Sequence, residues 1–196
     1  MLLTIPTKVN PTLTSLIAKA DATVKGGANA NLNFGGEQQL AVQLDASNPS
    51  NNQVTYLDFE MLDHKPADIK RSVLAVSGKV ETGNQPYRLH VYAIPQQKGW
   101  NSKSINWNNA LLLDRKEALI QSVGKDAFVA GEIAFDGKER YHYLDVTDIL
   151  KKHGNDHLTF VLVRETRQLG DDEDKGRKVS ISSSKAVNKP KLQIWK

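Results

Sequence analysis

Along most of this chain, apolar side chains recur at every second position in short runs separated by polar turns. That is the period of strands, not of helices. In Val54–Met61, Leu57, Phe59 and Met61 point one way and Tyr56, Asp58 and Glu60 the other, the pattern of a half-buried strand. Ile69–Val80 sets Ser72, Leu74, Val76, Gly78 and Val80 on one face and Arg71, Val73, Ala75, Ser77 and Lys79 opposite. In Arg88–Ile94, Leu89, Val91 and Ala93 face in, leaving Arg88, His90 and Tyr92 outward. Ala20–Val24, Gln39–Leu44, Val179–Ser183 and Leu192–Trp195 read as further strands. His157–Val163, apolar on both faces, reads as a buried one, and Leu13–Ala18 as a first strand or a short docked turn.

Between these runs the turn chemistry is explicit. Phe128–Phe135 and Arg140–Leu144 flank Asp136-Gly137, which predicts a hairpin. Asp45–Asn52 is dominated by turn formers and reads as a surface loop, and Gln168–Lys178 as a charged one. Asp114–Gln121 is expected to make one or two helical turns. Asp145–His153 is the clearest helix, with Asp145 or Thr147 as N-cap, three basic residues for the C-terminal dipole and Gly154 as the stop. About ten short strands and one short helix predict an all-β fold, a β-sandwich. We expect residues 1–19 to form an extension docking on a single sandwich domain of residues 20–196.

Composition narrows the function. Hydrophobic content of 39% supports a core, and no run approaches the roughly 20 apolar residues of a membrane span. The start, MLLTIPTKVN, lacks the apolar stretch of a signal peptide, and the sequence reads as a module excised from a longer chain. Absence of cysteine excludes disulfides, thiolate catalysis and zinc–thiolate sites. Net charge is +4, from 26 Lys+Arg against 22 Asp+Glu, a modest lean toward polyanions. Neither a recognition helix nor an RNA-binding signature accompanies it, so nucleic acid is not an expected partner, nor is a membrane. A monomer is expected.

The densest chemistry lies in Gly99–Ala110, GWNSKSINWNNA, with two of the three tryptophans and four asparagines. Such a loop is either a rigid corner of a sandwich or a ligand platform. Its pattern, W-x-x-x-x-I-x-W-x-N, resembles the central signature of the DNRLRE-type domain, carbohydrate-binding module family 96. Other stretches match that family in order: Ala20-Asp21-Ala22, Asn33-Phe34-Gly35, Leu40-Ala41-Val42, Leu57–Met61, Asp145-Val146-Thr147, Ser182–Ala186 and Pro190-Lys191-Leu192. Two positions depart from it: Asp58 stands where the family usually has a basic residue, and Leu111 where proline is common. The resemblance implies a jelly-roll module attached to a secreted polysaccharide-degrading enzyme, with alginate, a polyuronate, as the glycan. The basic charge agrees with that, since binding a polyanion by cations displaces counterions and weakens with salt.

Candidate carbohydrate contacts are the outward cations Arg71, Lys79 and Arg88, with Lys103 in the loop. Arginine's planar fork suits a carboxylate. His90, Tyr92, Tyr141, Tyr143 and Trp100 would supply ring contacts and hydroxyl hydrogen bonds, while Trp107 and Trp195 are expected in the core. Two rival readings stay open. Arg88, His90, Tyr92 and Tyr141 have the chemistry for β-elimination of a uronate, making a small lyase, although no catalytic motif frames them. A non-binding spacer is the other. No cofactor is required. Asp171–Asp174 lacks EF-hand spacing, and a structural calcium in an oxygen-rich loop such as Asn29–Asn33 is compatible with the composition.

Overall fold

The computed structural model describes residues 11–45, 47–82, 86–165 and 175–196. In chain order the strands are β1 (Leu13–Ile17), β2 (Ala20–Lys25), β3 (Phe34–Gly35), β4 (Gln39–Asp45), β5 (Gln53–Glu60), β6 (Arg71–Val80) and β7 (Tyr87–Gln96). Two short strands follow, β8 (Leu113–Asp114) and β9 (Leu119–Ile120), then β10 (Phe128–Phe135) and β11 (Arg140–Asp145). Helix α1 (Thr147–His153) precedes β12 (His157–Val163), β13 (Lys175–Ser182) and β14 (Lys191–Trp195). The Asp171–Asp174 run and most of the loop expected at Gln168–Lys178 lie outside the described residues. From Lys175 onward that stretch is strand, not loop.

The strands form two antiparallel layers. In the first, β6 is central: β14 and then β1 flank one side of it, β13 and β4 continue that side at its far end, and β11 lies on the other side. In the second, the order is β3-β2-β5-β12-β7-β10. Among the described residues, the layers join edge to edge at Gln43 opposite Gln53. Strands β4, β5, β6 and β7 alternate between layers, as do β10 to β13, the winding of a jelly-roll sandwich. Leu57, Phe59, Leu74, Val76, Leu89, Val91, Phe135 and Phe160 fill the space between, as the alternation predicts.

Several local expectations are corrected. Asp136-Gly137 does not close a hairpin: Phe135 pairs with Tyr87 in the second layer and Arg140 with Gly78 in the first. The turn chemistry is present, with Asp136 accepting the Lys138 amide at 3.0 Å and holding Arg140 at 2.6 Å, but it carries the chain across the sandwich. Asp114–Gln121 is a two-stranded ribbon, not a helix, with Leu113 opposite Ile120. Asp114 captures the Lys116 and Glu117 amides, which tightens a turn in place of a helical start. Helix α1 has no side-chain cap; Asp145 instead accepts the Thr147 amide at 3.0 Å.

The largest correction concerns β5, which is buried on both faces. Tyr56, Val54, Tyr92, Ile94, Val161 and Val163 look away from the inter-layer core into a second one. The segment from Trp100 to Ala127 lies over that face, inserting Ile105, Trp107, Leu113 and Ile120. This second layer therefore has a lid of chain where the alternation alone predicts water.

Candidate functional site

Among the described residues, no such segment lies over the outer face of the first layer. Along β6, Arg71, Val73, Ala75, Ser77 and Lys79 look outward, and Arg71 to Lys79 spans roughly 26 Å at the rise of a strand. On β11, Tyr143 stands beside Ala75 and Tyr141 beside Ser77. On β14, Lys191, Gln193 and Trp195 stand beside Ala75, Val73 and Arg71. Small side chains on the middle strand stand between longer ones on both flanks, a shallow trough whose floor of Val73, Ala75 and Ser77 those flanking side chains cover.

Hydrogen bonds fix its walls. The Tyr141 hydroxyl donates to the Lys189 carbonyl at 3.0 Å, so the ring reaches across β6. That explains why Ala75 and Ser77, although outward in phase, are only 2% and 0% exposed. The Lys191 ammonium sits 5.0 Å above the Tyr141 ring, and the Arg71 guanidinium 5.2 Å from the Trp195 ring. Tyr143, 63% exposed, is the one aromatic ring among the described residues that lies mostly in solvent. Large aromatics are seldom left so, and here it shares its face with Arg71, Lys79 and Lys191. At one end Asp145 pairs with Arg71 at 3.5 Å. Hydrogen bonds from Thr147, then the Arg71 charge, hold its carboxyl below the usual range.

Four of the nine predicted contacts, Arg71, Lys79, Tyr141 and Tyr143, thus meet on one face. The other five lie on the second layer or its cover. Tyr92 is buried, 6% exposed, and its hydroxyl donates to Glu165 at 2.6 Å. His90 lies between Glu132 at 3.2 Å and Glu165 at 3.6 Å, and Arg88 is 3.5 Å from Glu132. The outward run Arg88–His90–Tyr92 is therefore not an open basic face. Acidic neighbours balance it at one end, and the cover closes it at the other. Arg88, His90 and Tyr92 also stand on the opposite layer from Tyr141, so the four groups of the lyase reading do not assemble.

Trp100 is half-buried, donates its indole N–H to Thr159 Oγ1 at 3.1 Å and meets Tyr56 edge-on, so its ring is not a flat platform. Trp107 is core, as expected, but of the second cluster. The loop is the rigid corner. Asn33 donates to the Ser102 and Ile105 carbonyls at 2.7 and 2.6 Å, and Asn109 to the Ser104 carbonyl at 2.9 Å. Asn106 accepts the amides of Asn108 and Asn109, and Asn101 that of Lys103, whose side chain is exposed. Gly35 lets the two segments touch, because a Cβ there would lie 1.7 Å from the Ser102 carbonyl oxygen. Beneath the corner, Asp58 is buried, with its carboxylate on His157 at 2.8 Å and Thr159 at 2.9 Å. Burial pushes that carboxyl up. Among the described residues, no group of three or more acidic or histidine side chains is arranged to hold a metal ion.

Sequence reasoning missed Lys191, Gln193 and Trp195. The signal was present: Leu192 and Ile194 are inward, so their neighbours must face out. Trp195 was assigned to the core by residue type, against its own phase; it is half-buried on the outer face.

The outer face of the first layer thus carries rings, an amide and cations along the strand direction. Carbohydrate-binding module family 96 matches residues 12–196, nearly the whole chain, and the protein belongs to that family. No curated protein matches it. Among the described residues, no helix is long and apolar enough to cross a membrane.

Proposed function

We propose that the outer face of the first layer binds an acidic polysaccharide, alginate in particular, and that the module holds an attached, secreted polysaccharide lyase on its substrate without catalysing a reaction itself. The observation that carries this reading is that Arg71, Lys79 and Lys191 share one face of the first layer with Tyr141 and Tyr143. Each cation pairs with a uronate carboxylate. Arg71 has five N–H donors, so its contact with Asp145 leaves others for the glycan. Tyr143 packs on the C–H face of a sugar ring. Exposed ion pairs are individually weak, so several act together and the affinity is micromolar or poorer.

The test is titration of the isolated module with alginate oligosaccharides at low and high salt, with neutral glucan and heparin as controls. Saturable binding that favours alginate and weakens with salt is the expected result. Equal binding to heparin reduces the function to general polyanion capture. Failure to bind at either salt favours the spacer reading. The lyase alternative predicts new absorbance from an unsaturated product when the module alone meets alginate.

A further inference from the structure

At the Arg71 end the trough opens into a groove of 770 Å³ between β10 and α1. Arg71 and Asp145 line both. The groove's apolar side comes from Phe128, Val129, Ala130 and Ile149, and its cations besides Arg71 are Lys70 and Lys152. Phe128 and His153 stack face to face, with ring centroids 3.5 Å apart and planes 14° from parallel, which makes a stiff wall. Asp148 is its second carboxylate.

The backbone is built to present this lining. Val129 and Ala130 are neighbours on one strand and would point to opposite sides of a regular sheet, yet both line the groove. The reason is a bulge: pairing to β7 shifts between Val129 and Gly131, and Gly131 has φ +138°, a conformation that favours glycine. As a result Val129 is left 55% exposed on an edge strand. Ala130 and Ile149 pack against the inter-layer core, whereas Phe128 and Val129 are not part of it.

We propose that this groove is a second carbohydrate subsite, continuous with the trough through Arg71, that takes the next uronate unit of a chain lying along β6. Lys70 and Lys152 pair with its carboxylate, Asp148 accepts from a ring hydroxyl, and Val129 and Ile149 pack on its C–H face. This rests on the reading of the outer face as a uronate-binding surface. It adds that the recognised ligand is long enough to leave the sheet and turn the end of the sandwich.

The test is titration with mannuronate and guluronate oligomers of increasing length, comparing wild type with Lys152→Gln/Val129→Asp. Lys70→Gln/Lys152→Gln serves as a second variant that leaves the edge strand untouched, and thermal melting checks the fold. The expected result is a loss of about three- to tenfold on long oligomers that shrinks as the oligomers shorten. No loss, or an equal loss at every length, overturns the subsite while the trough stands, because wild type still binds and Tyr143→Ala still weakens it. If wild type binds no oligomer of either type, both readings fall together, and no trough variant has an affinity to lose.

Discussion

Two aromatic rings that look alike as candidates in the sequence carry opposite consequences in the structure. Trp107 is 5% exposed within the second core, beneath its own loop. Truncating a buried tryptophan to alanine removes a large apolar surface and leaves a cavity, a cost of about 3–5 kcal/mol. With a urea slope of about 2 kcal/mol/M, Trp107→Ala should lower the denaturation midpoint by about 1.5–2.5 M. Its folded fraction should still bind alginate, since the trough lies on the other layer. Tyr143 is 63% exposed and its truncation leaves no cavity. Tyr143→Ala should change stability by less than about 0.5 kcal/mol. If its ring covers about 40 Å² of sugar, binding loses about 1 kcal/mol, a factor of about five. Urea melts followed by fluorescence, and titration with alginate oligomers at one low salt concentration, read both quantities. The assignment of faces is refuted if Trp107→Ala melts like wild type while losing affinity, or if Tyr143→Ala unfolds the domain and leaves affinity unchanged.

Lys191→Gln should weaken alginate binding severalfold and flatten its salt dependence, with the melting temperature unmoved. Arg88→Ala, on the opposite layer beside Glu132, should leave affinity unchanged; a comparable loss there would move the binding face to the second layer. Asp58 gives a pH signature. Burial raises its folded pKa above the ordinary carboxylate value, so unfolding releases a proton and the group's contribution, full below about pH 4, is lost as pH rises through the folded pKa. Asp58→Asn, which has no such titration, should therefore gain stability relative to wild type as pH rises across that window, checked by urea melts at successive pH values. Gly35→Ala should cost about 2 kcal/mol or more, because the new Cβ meets backbone at Ser102 that cannot step aside; a wild-type melt would show the loop contact to be loose.

The alternation of Leu74 and Val76 against Ala75 and Ser77, or of Leu192 and Ile194 against Lys191 and Gln193, is a local property of a strand. It was legible residue by residue, and with it the inter-layer core, the all-β class and the phase of β6, β7 and β14. Turn chemistry was legible in the same local sense: Asp136-Gly137 does turn the chain, and the asparagines around Trp107 do brace a corner.

What period two cannot carry is whether an outward face meets water. Tyr56 and Tyr92 have the same phase as surface residues, but the chain from Trp100 to Ala127 folds back over them and makes a second core. Among the described residues, no comparable segment lies over Tyr143 and Lys191. Nor does a turn signal say which layer each flanking strand joins, so Phe135 and Arg140 part company across the sandwich. Both outcomes depend on contacts between residues far apart in sequence, where apolar area is buried only once the layers have packed. The residue types able to bind a polyuronate were therefore written in the chain, and only the tertiary structure decided which of them share an open face.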